Sequence, residues 1–244
     1  MQDKKTAAIC VSGLFRYKDN FKKSVELLKI HNPDYEFRIF AHMWRVNNIE
    51  SLIVERHKTV SEICSFNHGV DQNILTAIDN LPEMETLQVE TFESNIDFLR
   101  EHKHKFKIEG NEISAQGAHP DHVNAMSMFY GIWRANELRR IYCERTNHVF
   151  DIQVRMRYDN YFEKPVVIDD MKPGVVNVHH GKRFQGGTPD RFAIGEQSLM
   201  DLYSQTFLLS GAPHHHETML RLNLERFNVP WEQTYNVTMR QPYV

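Results

Sequence analysis

The chain has 244 residues, of which 41% are hydrophobic and 25% are charged, a composition typical of a globular protein. Its formal net charge is −3, and it has no long basic run, which disfavours nucleic acid as a partner because phosphate binding needs a concentrated lysine and arginine surface. No stretch is apolar enough to predict a signal peptide or a transmembrane segment, so we expect a cytoplasmic protein with at most peripheral membrane contact.

The three cysteines have no paired spacing, which disfavours a disulfide framework and a structural zinc site. The residues are Cys10, Cys64 and Cys143. An odd count without a C-x-x-C motif is typical of a protein from a reducing compartment.

The first forty residues predict a strand, a helix and a second strand. Thr6–Ser12 is an almost continuous apolar run that ends in Ser12-Gly13, the pattern of a buried parallel strand entering a tight turn. Asp19 is a candidate N-cap of the helix, and Tyr35–His42 alternates like a strand. This order predicts an α/β fold.

The middle of the chain predicts one long helix and two weaker elements. His122–Glu144 carries a wide apolar stripe at helical spacing. Thr86–Phe92 alternates like a strand, and Asp71–Leu81 has the spacing of a helix. The polar segment Lys103–Gln116 predicts a surface loop.

The segment Phe150–Phe162 predicts a central strand with one charged face. That face presents Arg155, Arg157 and Asp159, although strands flanked by helices are normally apolar on both faces. Burying a charge costs several kcal/mol per ion unless it is paired or binds something. Three interpretations remain open here: a structural ion pair among these residues, a half-exposed strand in an antiparallel sheet, and a ligand site.

The last ninety residues predict two further strands and two helices. Gly174–His179 and Asp190–Gly195 have the pattern of strands, whereas Glu196–Gln205 and Glu217–Phe227 have that of helices. The tail from Asn228 is irregular.

No repeat or linker interrupts the chain, so we expect one domain over residues 1–244, with a Rossmann-like, mostly parallel sheet flanked by helices. The loop Gly181–Gly187 lacks a P-loop motif, and the turn at Ser12-Gly13 lacks the dinucleotide fingerprint. The signatures of serine hydrolases and zinc proteases are also missing from the sequence.

A run of histidines precedes the last predicted helix. His214–His216 followed by Glu217 has metal-ligating side chains, but adjacent residues rarely converge on one ion. We therefore expect surface histidines and an acidic helix start. The pair His179-His180, where a strand enters a loop, is better placed for a functional role.

Carboxylates at strand and helix ends are the remaining candidates for chemistry. Asp159, Asp190 and Glu217 occupy such positions. One carboxylate beside a diphosphate can hold a divalent ion, and another can take a proton from an attacking hydroxyl. Arg155 and Arg157 can hold phosphate oxygens through a bidentate fork.

Four segments in a fixed order span most of the chain and carry a family resemblance. They are Val11-Ser12-Gly13 with Arg16, Ile39–His42 with Trp44, Ser127–Gly131 running on to Val154–Asp159, and Asp190–Gly195. With the helix start near Glu217, their order and spacing resemble a group of bacterial and viral GT-A glycosyltransferases, including those of lipopolysaccharide-core and capsule clusters.

The resemblance implies a GT-A domain that binds a nucleotide-diphosphate sugar at the strand ends and transfers the sugar to a glycan hydroxyl, as in surface polysaccharide or glycoprotein glycan synthesis. Ser12, Gly13 and Arg16 would face the nucleotide. Asp190 would contact the acceptor or act as general base, with Glu217 as the alternative.

The resemblance also implies a divalent metal, Mn²⁺ or Mg²⁺. Asp159 stands where GT-A enzymes have their Asp-x-Asp metal motif. This sequence departs from the motif, because Asp159 is preceded by Tyr158 and followed by Asn160-Tyr161.

Three alternatives use the same residues. A metal-dependent nucleotidyl or phosphoryl transferase would release pyrophosphate or phosphate, not a nucleoside diphosphate. A non-catalytic relic of the fold would bind nucleotide or glycan without turnover. In the third alternative, the charged strand is only an ion-paired structural element.

Overall fold

The structure, a computed structural model, describes residues 4–14, 18–45, 80–105, 123–159, 161–162, 164–180, 186–209, 216–234 and 239–240. Helices and strands alternate through most of these residues. The strands are β1 (Lys5–Leu14), β2 (Tyr35–Arg45), β3 (Met84–Thr91), β4 (Ile152–Arg157), β5 (Tyr161–Phe162), β6 (Val176–His179), β7 (Phe192–Gly195), β8 (Trp231–Thr234) and β9 (Met239–Arg240). The helices are α1 (Lys18–His31), α2 (Phe92–Lys105), α3 (Val123–Thr146), α4 (Gln197–Ser204), α5 (Thr206–Leu209) and α6 (His216–Arg226).

Seven of the described strands form one mixed sheet in the order β3-β2-β1-β4-β7-β6-β8, and β5 pairs with β9. In the larger sheet, β7 runs antiparallel to both of its neighbours, and the other neighbouring strands are parallel. The chain builds outward from β1 to β3 and then returns to place β4 on the other side of β1. The predicted mostly parallel α/β sheet is therefore confirmed.

The central strand β1 is buried on both faces, as its apolar run predicts. Ile9 and Val11 belong to a core cluster that includes residues of α1, whereas Ala8 and Cys10 pack in a cluster that includes Ala135 of α3. A strand that is covered on both faces reads as a continuous apolar run because neither face meets water.

A buried polar network ties α3 to β4 and α4. Arg139, 1% exposed, donates to Asp201 and to the Asn136 side-chain oxygen, and Gln153 donates to the same oxygen at 2.9 Å. The helical pattern alone puts Arg139 outside the apolar stripe, on a solvent-facing side. The structure instead buries it, because Asp201 of another helix neutralises its charge.

Two elements differ from the sequence predictions. Lys103 to Lys105 close helix α2 instead of opening a surface loop, and the rest of that predicted loop lies outside the described residues. Phe92 and Leu99 lie two turns apart on the same face of α2, and both are buried against the core. The supposedly irregular tail contributes β8, which pairs with β6.

The predicted helix Asp71–Leu81 lies almost wholly outside the described residues. The other predicted helices and strands are present with shifted ends. Among the described helices, none combines the length and hydropathy that crossing a membrane requires.

Candidate functional site at the carboxyl edge of the sheet

The polar residues singled out from the sequence gather at one edge of the sheet. The carboxyl ends of β1 and β4 are neighbours there, with Ser12 paired in register with Arg157. Because β7 is antiparallel, its first residues and the preceding Asp190 reach the same edge. Strand order reverses direction between β1 and β4, and such switch points are where open α/β sheets bind ligands.

The strand does not end at Ser12-Gly13, where the sequence predicts a tight turn, because β1 continues to Leu14. Gly13 has φ +125°, a conformation that side chains with a Cβ rarely adopt. Ser12 is 2% exposed, and its side chain lies against Gly131 of α3, where an added Cβ would approach Ser12 Cβ to 3.3 Å. Arg16, the third predicted nucleotide contact, lies outside the described residues.

Arg157 and Asp159 form a bidentate ion pair at the end of β4. Arg157 Nε donates to Asp159 Oδ1 at 2.8 Å, and Nη2 donates to Oδ2 at 2.7 Å. Burial alone would lower the pKa of Arg157, but the adjacent Asp159 carboxylate has the larger effect, so the pKa of Arg157 is raised. Both oxygens of Asp159 accept hydrogen bonds from Arg157. The predicted role of Asp159 as a metal ligand stays a prediction.

Arg155 is a buried cation with incomplete hydrogen bonding. Its side chain is 1% exposed, and it donates through Nη1 to the Arg191 carbonyl. Its Nε and Nη2 atoms find no hydrogen-bond partner among the described residues. Burial lowers the pKa of this guanidinium, while Tyr203 and Asp190 act in the opposite direction. A guanidinium in this state has unused donors for an anion.

Asp190 is a buried carboxylate that remains ionised. It is 3% exposed, and burial alone would raise its pKa. Positive charge from His216, Arg155 and Arg157, together with Arg191, overcomes burial and lowers the pKa to about 2. An acid this strong is a weak proton acceptor at neutral pH, because general bases work best when their pKa lies near the operating pH.

The start of α6 brings two more metal-ligating side chains beside Asp190. One ligand atom each from Asp190, His216 and Glu217 lies within 4.8 Å of the other two. The Thr188 backbone N–H donates to the Glu217 carbonyl at 2.9 Å and fixes the segment before β7 against the helix. Gly187 permits this approach, since a Cβ there would lie 2.6 Å from the Glu217 carbonyl carbon.

Further buried polar atoms near Arg155 and Asp190 lack partners. The Tyr203 hydroxyl, His179 Nδ1 and the Thr188 hydroxyl make no hydrogen bond to the described residues. Burial lowers the pKa of His179 to about 4, although Asp190 opposes the effect. Buried polar groups are normally hydrogen-bonded, so a local group of exceptions indicates a site for a polar ligand or water.

A second polar cluster lies where β2 and β3 end. Tyr130 donates to both Glu90 oxygens at 3.0 and 3.1 Å, and Arg134 Nε lies 3.7 Å from Glu90 Oε1. His42 is completely buried, with Nε2 3.6 Å from Glu90 and its ring against Trp44. Burial lowers the pKa of His42 despite the nearby carboxylate.

We expect protonation of His42 to destabilise the protein as the pH falls below about 6.5. The folded state binds this proton less readily than the unfolded state, so stability is retained above that pH and lost at up to about 1.4 kcal/mol per pH unit towards the folded-state pKa. Urea denaturation between pH 7.5 and 5 measures the slope. His42→Gln, which cannot titrate, should show a shallower slope; equal slopes would contradict the assignment.

The structure thus brings Arg155, Arg157, Asp159 and Asp190 to one edge of the sheet. Glu217 lies near this group because one of its carboxylate oxygens is within 4.8 Å of Asp190. Sequence reasoning did not single out Tyr203 and expected His216 to be a surface histidine. Tyr203 gives no local signal, because a tyrosine on an amphipathic helix has the pattern of a core residue. His216 is next to Glu217 in sequence, which argued against convergence on one ion, yet the structure places a ligand atom of each within 4.8 Å of Asp190.

Comparison with known proteins gives no family assignment: no protein-family model matches the sequence, and no curated protein matches it.

Proposed function

We propose that the protein is a GT-A-type glycosyltransferase that moves a sugar from a nucleotide-diphosphate donor to a glycan hydroxyl. The observation that carries the proposal is the buried Arg155 guanidinium, whose Nε and Nη2 have no hydrogen-bond partner among the described residues. A diphosphate supplies several acceptor oxygens and the negative charge that such a group lacks.

The position of the site supports a nucleotide donor. Arg155 and Arg157 lie on β4 beside the end of β1, where the topology of the sheet reverses. Ser12 and Gly13 stand at the same edge, and the glycine has no side chain to keep a nucleotide away from the backbone. The proposed role of Asp159 is to orient Arg157 towards the phosphates, because their bidentate pair fixes the guanidinium plane.

The two carboxylates next to the arginines suit the transfer step. In this step the acceptor oxygen forms a bond to the anomeric carbon, the bond from that carbon to the diphosphate oxygen breaks, and a carboxylate takes the hydroxyl proton. The low pKa of Asp190 suits it to holding positive charge, which leaves Glu217 to receive the proton. The nucleoside diphosphate departs with the bonding electrons, held by Arg155 and Arg157.

The donor site is tested with Arg155→Met. We expect nucleoside diphosphates to raise the melting temperature of the wild type through binding to the native state, and the variant to lose this shift. Its free energy of unfolding should stay within about 1 kcal/mol of the wild type, because removing a poorly satisfied buried charge is often neutral. Thermal shift and urea denaturation measure the two quantities.

Arg226→Met is the matched control, since Arg226 is exposed in the last turn of α6. An unchanged nucleotide shift in Arg155→Met would contradict the proposal. Turnover then identifies the reaction: release of a nucleoside diphosphate from a nucleotide sugar supports transfer. Release of pyrophosphate would favour a nucleotidyl transferase, and binding without turnover would favour a non-catalytic module.

A further inference from the structure

The group formed by Asp190, His216 and Glu217 has the composition and spread of a cation site. Its three ligand atoms come from two chain segments and lie within 4.8 Å of one another. Three atoms bound to one ion at about 2.1 Å and spread evenly around it lie about 3.6 Å apart. A movement of each ligand atom by roughly 0.7 Å, within the reach of rotating side chains, therefore allows all three to bind one ion.

The surroundings of Asp190 are an independent sign of a missing ligand. Asp190 is 3% exposed, and its ion pair with His216 Nε2 at 3.9 Å is too long for a hydrogen bond. His179 is 7% exposed and interacts electrostatically with Asp190, and its Nδ1 atom has no hydrogen-bond partner among the described residues. Buried polar groups are normally hydrogen-bonded, so this exception indicates a polar ligand, water or ion beside Asp190.

The framework around the three side chains is rigid. The Thr188 N–H to Glu217 carbonyl hydrogen bond joins the two segments, and Gly187 has no side chain to separate them. These two features hold the segment that carries Asp190 against the start of α6.

We propose that Asp190, His216 and Glu217 bind a divalent transition-metal cation of the Mn²⁺ class. One imidazole and two carboxylates suit Mn²⁺, because imidazole binds transition metals well, whereas Mg²⁺ prefers oxygen ligands alone. A carboxylate that binds through one oxygen keeps its second oxygen, so Glu217 can still meet an acceptor hydroxyl.

The surrounding charges predict that the cation binds together with an anion. Arg155, Arg157 and Arg191 lie near Asp190 and balance the formal charges of Asp159, Asp190 and Glu217. A dication alone leaves the cluster with excess positive charge, which a bound diphosphate compensates. Binding of each should therefore strengthen binding of the other, as thermodynamic linkage requires.

Mn²⁺ binding to the full chain, measured by electron paramagnetic resonance of the free ion, tests the site directly. We expect His216→Ala and Glu217→Gln each to weaken Mn²⁺ binding by about tenfold or more. Glu225→Gln is the matched control, because it makes the same charge change on the exposed side of α6 and should bind like the wild type. Circular dichroism establishes whether each variant is folded. If His216→Ala does not fold, the Mn²⁺ affinity of Glu217→Gln decides the test.

Absence of millimolar Mn²⁺ binding to the wild type, or equal binding by the site variants, would overturn the proposal. Inorganic pyrophosphate then tests the coupling. We expect the melting-temperature rise with Mn²⁺ and pyrophosphate together to exceed the sum of the separate rises in the wild type, and not in Glu217→Gln. Merely additive shifts in the wild type would overturn the coupling.

The role of this cation as a cofactor rests on the proposed transferase function, whereas its binding does not. If nucleoside diphosphates raise the melting temperature but Mn²⁺ does not bind, the transferase proposal stands and the cation site is rejected. If Mn²⁺ binds but no nucleotide raises the melting temperature, the cation site stands and the transferase proposal is rejected.

Discussion

Asp159→Ala is expected to lower the free energy of unfolding by about 3 kcal/mol. The substitution leaves Arg157, with only 22% of its side chain exposed, without the carboxylate that accepts two of its hydrogen bonds. An unpaired buried charge costs more than the ion pair contributes, because desolvation is no longer compensated. Urea denaturation measures the loss, and the nucleotide-induced thermal shift should fall as Arg157 loses its fixed orientation.

A double-mutant cycle separates the pair from other effects. Arg157→Leu together with Asp159→Ala should be less destabilising than the sum of the single substitutions, since neither charge is then left alone. Additive losses would contradict the importance of the bidentate pair. The alternative in which this strand is only structural predicts full activity in Arg157→Met with Asp159→Leu; the proposed donor site predicts its loss.

Gly187→Ala is expected to have an effect of similar size, about 3 kcal/mol, for a steric reason. The new Cβ would lie 2.6 Å from two atoms of Glu217, including its carbonyl carbon, and backbone cannot move aside as a side-chain end can. The segment that carries Asp190 must then separate from the start of α6. We expect weaker Mn²⁺ binding as well as lower stability, measured by electron paramagnetic resonance and urea denaturation.

Gly186→Asn is the control for this substitution. Gly186 has φ +71°, which asparagine tolerates better than most residues, and an added Cβ there meets no atom within 4 Å. This variant should retain both stability and Mn²⁺ binding. If Gly187→Ala has the stability and Mn²⁺ affinity of the wild type, the close contact between residue 187 and Glu217 is not required for either property.

Local periodicity was sufficient to predict most of the fold. The apolar run of β1, the alternation of β4 and the broad stripe of α3 each identify their element, because one face or both faces of these elements must leave water. The helix α2 was missed since its charged residues outnumber the apolar anchors Phe92 and Leu99. A polar helix and a polar loop have similar composition.

Candidate residues for the site were also visible locally. Two arginines and an aspartate on the face of a buried strand conflict with the usual apolar pattern, and that conflict directed attention to the sheet edge where the polar residues gather. Local reasoning offered an ion pair among Arg155, Arg157 and Asp159. It did not extend to the residues from other segments, Asp190 and His216, that lie near one another in the structure.

The sequence by itself therefore determined the α/β class, the central strand and most candidate side chains, since these depend on spacings of two to four residues. Only the tertiary structure decided that Asp190 lies beside His216 and Glu217, that two Arg155 donors have no partner among the described residues, and that Arg139 is buried beside Asp201. These contacts join segments far apart in the chain. They depend on strand order, on the antiparallel β7 and on the close approach at Gly187, none of which leaves a periodic signal.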